Sequence, residues 1–261
     1  MRLQTQTLMK LLLLILFIYS AFALYLYLFQ EKIIFRPYLA PKKIDIPKEA
    51  KVIMIDGLEV GILNRNSDVT VFYFGGNADN ALQALSLFED LPINVATYNY
   101  PGYGNSKGKP SQQTLYQSAL MLFQKFHTKH NIIVGRSLGT SVAAYVASRT
   151  NPISLILVTP FHSIEYLAKM RYPIFPVSFI LKHPFPTYRY IQKVKAPIYV
   201  LLAQHDTLTP PKSYEALRPF MHNLKEEIVI PDSTHADILE HSRTKEVLRK
   251  FILQSVQELS S

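Results

Sequence analysis

The sequence predicts an α/β fold, a mostly parallel eight-stranded sheet with helices on both faces, and three observations carry that prediction. Strand-like and helix-like segments alternate through residues 51–256. An apolar run at 131–134 passes through Gly135-Arg136-Ser137-Leu138-Gly139 into a stretch of small residues. At 261 residues, without a visible internal repeat, the chain suits one large domain plus a short appendage.

Taken in order, residues 52–55 and 58–63 read as a hairpin about Asp56-Gly57, and 69–74 as a strand rich in Val, Phe and Tyr. Helical periodicity follows at 80–89, then a strand at 93–100 and a helix at 112–127. Residues 131–134 form the next strand and 138–149 a helix. Apolar strands are expected at 153–158 and 198–203, a helix at 211–221, a final strand at 227–230 and a last helix at 236–253. The boundaries this implies are an N-terminal segment at 1–30, a linker with a possible first strand at 31–50, and a globular domain at 51–261.

The N-terminal segment has its own chemistry. Residues 11–29 carry no charge, long enough to cross a bilayer as a helix, with Arg2 and Lys10 before them and Gln30-Glu31-Lys32 after. A cleavable signal peptide is the competing reading, with an apolar core at 11–19 and Ala21-Phe22-Ala23 as the cleavage site. The apolar run continues past that site through Phe29, which favours an uncleaved single-pass anchor. Either reading puts the domain on the exported side, although Lys32, Arg36, Lys42 and Lys43 beyond the run pull the other way.

Composition excludes several classes of function. With no cysteine there is neither a disulfide framework nor a thiolate metal site, and no His/carboxylate cluster suggests a metal, so no cofactor is expected. Net charge is +9; residues 1–30 supply two of the 28 basic residues and none of the 19 acids, so the remainder is basic on its own at +7. No nucleic-acid motif accompanies that charge, and tethering at an anionic membrane surface accounts for it.

Ser137 is the candidate nucleophile. Gly135 and Gly139, two residues either side, let strand and helix approach closely while the serine sits in a strained conformation with its hydroxyl presented. The backbone N–H of Leu138, opening the helix, then points to where a carbonyl oxygen would gain charge. A glycine-flanked structural turn is the alternative reading of these five residues.

With its neighbours the pattern resembles the α/β-hydrolase-fold serine hydrolases, in particular the N-terminally membrane-anchored branch that includes lipid-active and depalmitoylating enzymes. The resemblance covers nearly all of residues 31–256 and rests on "VFYFGGNADN", "YNYPGYGNSKGKPS", "VGRSLG" and "LLAQHDTLTP" followed by "PDSTHAD". It implies a Ser, acid, His order along the chain, met by Ser137, Asp206 after the 198–203 strand and His235 before the last helix. His205 and His241 are rivals for the base, and a helix-capping role is the alternative for Asp206. The second oxyanion donor passes by resemblance to the backbone N–H of Asn77. Two departures stand beside it: Gly75 replaces a loop-bracing histidine, and Asp79 puts a carboxylate near a site that must welcome an anion.

The family's lid falls at about 160–196 and is short. Residues 166–205 hold no acid, and Lys169, Arg171, Lys182, Arg189, Lys193 and Lys195 are interleaved with aromatics, a composition that suits a membrane interface as well as a solvated surface. The reading that results is a membrane-anchored hydrolase of esters or thioesters, with a lipid among the conceivable substrates. An acyltransferase using the same acyl-enzyme, and a non-catalytic binding protein of this fold, stand as alternatives.

Overall fold

The computed structural model describes residues 2–259. Eight strands form one sheet: β1 (Lys51–Ile55), β2 (Leu58–Leu63), β3 (Val69–Phe74), β4 (Asn94–Tyr98), β5 (His130–Arg136), β6 (Ser154–Val158), β7 (Ile198–His205) and β8 (Leu224–Thr234). Their spatial order is β1-β2-β4-β3-β5-β6-β7-β8. Only the β1–β2 and β2–β4 pairs are antiparallel; every pairing from β4 to β8 is parallel.

The helices are α1 (Arg2–Ile34), α2 (Gln112–Phe126), α3 (Leu138–Ala147), α4 (Ile164–Arg171), α5 (Val177–Ile180), α6 (Thr187–Ile191), α7 (Pro211–Leu217) and α8 (Ser242–Gln257). The central strands are continuous apolar runs because both of their faces are covered. Alternate residues serve opposite layers: Ile133, Leu155, Leu157 and Val200 pack with α2 and α3, while Ile132, Val134, Ile156 and Leu201 pack with Leu248 and Phe251 of α8.

Besides shifted ends at the helix expected at 211–221, which stops at Leu217, and the strand expected at 227–230, which runs Leu224–Thr234, three segments differ from the sequence reading. The helix expected at 80–89 is a 3₁₀ stretch, Ala81–Leu87. Its first N–H groups go to side chains, Ala81 to Asn99 Oδ1 (2.8 Å) and Leu82 to Asn80 Oδ1 (3.3 Å), and Gln83 then closes an i−3 bond on Asn80. The last helix begins at Ser242, six residues later than its period suggests, because β8 runs to Thr234 and Asp237 Oδ1 accepts the Thr234 N–H at 2.7 Å to close a turn. The 31–50 stretch holds no strand. α1 continues to Ile34, and the chain beyond is pinned to the domain by Asn80 Nδ2 donating to the Pro41 carbonyl (3.0 Å) and by burial of Phe35, Ala40 and Pro47.

The lid region crosses from β6 to β7 through α4, α5 and α6. Its α6 lies against α3, the helix that follows Ser137, with Tyr190 edge-on to Tyr145 at 5.2 Å.

Candidate active site

β5 and α3 meet at a turn that only glycine permits on either side. A Cβ on Gly139 would stand 2.1 Å from the Phe74 carbonyl oxygen, and one on Gly135 would stand 2.4 Å from the Gly139 oxygen. Ser137 between them has φ +52° and ψ −121°, a conformation rarely populated by a side-chain-bearing residue and maintained here by its surroundings. Its N–H donates to the Val158 carbonyl at 2.9 Å, which ties the turn to β6.

The structure brings Ser137, His235 and Asp206 together from three strand ends. His235 Nε2 lies 2.8 Å from Ser137 Oγ, and His235 Nδ1 lies 2.8 Å from Asp206 Oδ2. A carboxylate only accepts, so Nδ1 carries the proton, Nε2 is the acceptor, and the serine hydroxyl donates to it. All three residues are buried. The rivals lie elsewhere: His205 is exposed at the end of β7, and His241 sits 3.4 Å from Asp237.

Asp206 does more than face the histidine. Its Oδ1 accepts the N–H groups of Leu208 (2.9 Å) and Thr209 (2.7 Å), and its Oδ2 accepts the Thr209 hydroxyl (2.8 Å). Burial pushes the carboxyl up, but the bonds from His235 and Thr209 together with the His235 charge outweigh it and hold Asp206 below the ordinary carboxylate value. A depressed folded-state value contributes stability that is present above the unfolded value and lost as pH falls through the folded one. Asp206→Asn should therefore lose less thermal stability than the parent between pH 7 and pH ~3, read as the change in Tm, because the asparagine has no proton to take up. An equal loss in both would show that Asp206 contributes nothing to acid sensitivity.

The backbone N–H groups of Leu138 and Asn77 have no acceptor among the described residues. Asn77 is held by its other atoms: its carbonyl accepts the Arg36 N–H (3.1 Å) and the Tyr103 hydroxyl (3.0 Å), and its Nδ2 donates to Ile34 O (3.1 Å). The Tyr100 hydroxyl donates to the Gly75 carbonyl at 2.8 Å, so two tyrosines brace the loop in which Gly75 replaces a histidine. This loop presses on the serine turn, since a Cβ on Gly76 would be 3.3 Å from Ser137 Cβ.

Asp79 does not cap the following helical segment, a role taken by Asn80. Its Oδ1 pairs with Arg136 Nη1 at 2.5 Å and its Oδ2 accepts the Gly76 N–H at 2.6 Å. Arg136 Nη2 also donates to the His235 carbonyl at 2.7 Å. One buried guanidinium therefore joins the serine turn, the Asn77 loop and the histidine loop, and neutralises the carboxylate that the sequence left in conflict with an anionic intermediate. The sequence reading assigned no role to Arg136, Tyr100, Tyr103 or Thr209. The available signal was an arginine next to the serine in a chain that also places an acid in the loop after β3.

No protein-family model matches the chain. The Pyrococcus furiosus esterase Pf2001 superposes with a TM-score of 0.64 at 16% identity, over 83% of this chain and 97% of that one. The chain has the α/β-hydrolase fold. Among curated α/β-hydrolase relatives, the lysophosphatidylserine lipase ABHD12 of Danio rerio is 34% identical over 119 residues, 40% of this chain and 31% of that protein. The uncharacterized membrane protein YNL320W of Saccharomyces cerevisiae is 33% identical over 125 residues, 43% of this chain and 44% of that one. The chain thus aligns with less than half the length of these relatives.

Proposed function

We propose that this α/β-hydrolase chain is a membrane-anchored serine hydrolase that cleaves carboxylic ester or thioester bonds through an acyl-enzyme on Ser137. The observation that carries the reading is the pair of 2.8 Å contacts from Ser137 through His235 to Asp206 at a strained strand–helix turn. A lone serine in a glycine turn needs neither a buried histidine nor a carboxylate behind it.

The chemistry follows from the protonation states. As Ser137 Oγ attacks the acyl carbon, Nε2 of His235 takes its proton, and the charge that appears on the ring is stabilised by the Asp206 carboxylate on Nδ1. The carbonyl oxygen becomes an oxyanion facing the free N–H groups of Leu138 and Asn77. Collapse expels the alcohol or thiol, which leaves with the proton from His235. Water then attacks the acyl-enzyme by the same sequence and frees the acid and the serine.

The anchor is α1, whose candidate span at residues 6–34 contains the uncharged run 11–29, long enough to cross a bilayer. Contacts from both sides of the alternative cleavage site support its retention: Tyr19 stacks on Phe175 of the lid at 4.8 Å, and Gln30 is buried against the lid. In this reading residues 1–30 are the anchor, the hydrolase domain follows the pinned 31–50 stretch, and the domain lies on the exported side.

A series of nitrophenyl esters of increasing acyl length, assayed with the full chain in detergent and again with an added alcohol acceptor, tests the reading. Acid release together with fluorophosphonate labelling of the parent supports hydrolysis. New ester formation at the expense of acid identifies an acyltransferase. Absence of both labelling and turnover would leave a binding protein of this fold.

A further inference from the structure

The lid holds a ten-residue uncharged segment, Tyr172 to Leu181, bounded by Arg171 and Lys182. It lies along α1 instead of over the sheet. At one end Tyr19 stacks on Phe175 and its hydroxyl donates to the Ile174 carbonyl (2.9 Å), with Phe22 5.2 Å from Phe175. At the other end Gln30 Nε2 donates to the Ile180 carbonyl (2.9 Å), and Gln30 Oε1 accepts the Lys182 N–H (2.6 Å). Lys182 Nζ sits over the Tyr27 ring at 4.5 Å.

These contacts set a register. From Gln30 to Tyr19 the helix rises roughly 16 Å at about 1.5 Å per residue. That is about half of a ~30 Å hydrocarbon layer. Gln30 is the last residue before the charges of Glu31 and Lys32, so with α1 in a bilayer the Ile174–Phe175 tip lies well below the interface.

The segment is built for such a place. Phe179 is 92% exposed and Ile174 72%, large apolar side chains with little protein cover. Pro173 and Pro176 carry no N–H. The N–H groups of Phe175, Val177, Phe179, Ile180 and Leu181 all close on lid carbonyls, and the Ile174 and Ile180 carbonyls are taken by α1 side chains; among the described residues only the Ile174 and Ser178 N–H groups of the segment meet no acceptor. Irregular backbone at membrane depth depends on such internal pairing. Lys182, whose N–H meets Gln30 at the interfacial end of the segment, matches an anionic headgroup layer, whereas Arg171, next to the Tyr172 that packs on Phe22, has to extend back toward that layer.

We infer that the lid tip, residues 172–181, is a membrane-inserted wedge clamped to α1 by Tyr19 and Gln30, with Ile174 and Phe179 in contact with acyl chains. The inference rests on α1 being the membrane anchor. The occupant is a lipid bilayer, since the exposed apolar surface is continuous with that of α1.

The chain has no tryptophan, so one introduced indole reports alone. Phe179→Trp replaces an exposed ring and leaves packing intact, and Phe17→Trp, on the exposed face of α1, reports the anchor. The full-length variants are reconstituted in phosphatidylcholine–phosphatidylglycerol vesicles with and without brominated acyl chains. Emission from Phe179→Trp should be blue-shifted, strongly quenched by brominated lipid and insensitive to aqueous iodide, as should that from Phe17→Trp. Lipid quenching of Phe17→Trp with iodide quenching of Phe179→Trp would overturn the wedge and leave the anchor. Lack of lipid quenching in both would overturn the anchor reading as well. Phe179→Trp protected from iodide yet unaffected by brominated lipid would place the tip against protein and overturn the inference.

Discussion

Ser137→Ala and His235→Ala should each lower kcat for ester hydrolysis by about 10³-fold or more while leaving the thermal unfolding transition close to that of the parent. The serine and histidine act as one unit through the 2.8 Å contact between them, so the double variant should be little worse than either single one. Asp206→Asn is expected to be the mildest of the three. The asparagine has one acceptor where the carboxylate has two: with its oxygen on the Leu208 and Thr209 N–H groups its NH2 faces Nδ1 and favours the other tautomer, and in either orientation it no longer neutralises the imidazolium. Fluorophosphonate labelling should vanish in Ser137→Ala. Activity near that of the parent in His235→Ala would assign the base to another residue and break the arrangement.

The second large effect is expected at Arg136. Arg136→Met removes the partner of the half-buried Asp79 carboxylate; breaking a fully buried pair costs about 3 kcal/mol or more, and the partial exposure of Asp79 brings the expected loss of stability to about 2 kcal/mol. The carboxylate it abandons accepts from Gly76, next to the serine turn. An uncompensated charge within ~10 Å of a developing oxyanion costs on the order of 1–2 kcal/mol at an effective dielectric constant of about 20, so kcat should fall by about tenfold or more. Arg136→Met combined with Asp79→Asn removes both charges and keeps an acceptor for Gly76. It should be more stable and more active than Arg136→Met alone. A double variant no better than the single one would show that Arg136 acts through the His235 carbonyl and not by neutralising Asp79.

Much of the sheet is legible along the chain because β3, β5, β6 and β7 are buried on both faces and must be apolar at nearly every position. The serine turn is legible for a steric reason: Gly135 and Gly139 stand where a Cβ would strike backbone oxygen. The helical boundaries after β3 and before α8 are less so. There, Asn80, Asn99 and Asp237 capture backbone N–H groups, and such captures depend on partners brought in by folding.

By itself the sequence determined the order of elements, the apolar N-terminal helix, and the candidate residues Ser137, Asp206, His235, Leu138 and Asn77, because each leaves a local mark in periodicity, glycine placement or motif. Tertiary structure alone decided that Asp79 meets Arg136 across 57 residues, that His235 reaches Ser137 across 98, and that Gln30 grips the lid across 150 and 152. Those contacts depend on the order in which parallel strands pair and on where a crossover returns the chain. Charge compensation and hydrogen bonding between distant segments have no period along the sequence, only a geometry once the sheet has formed.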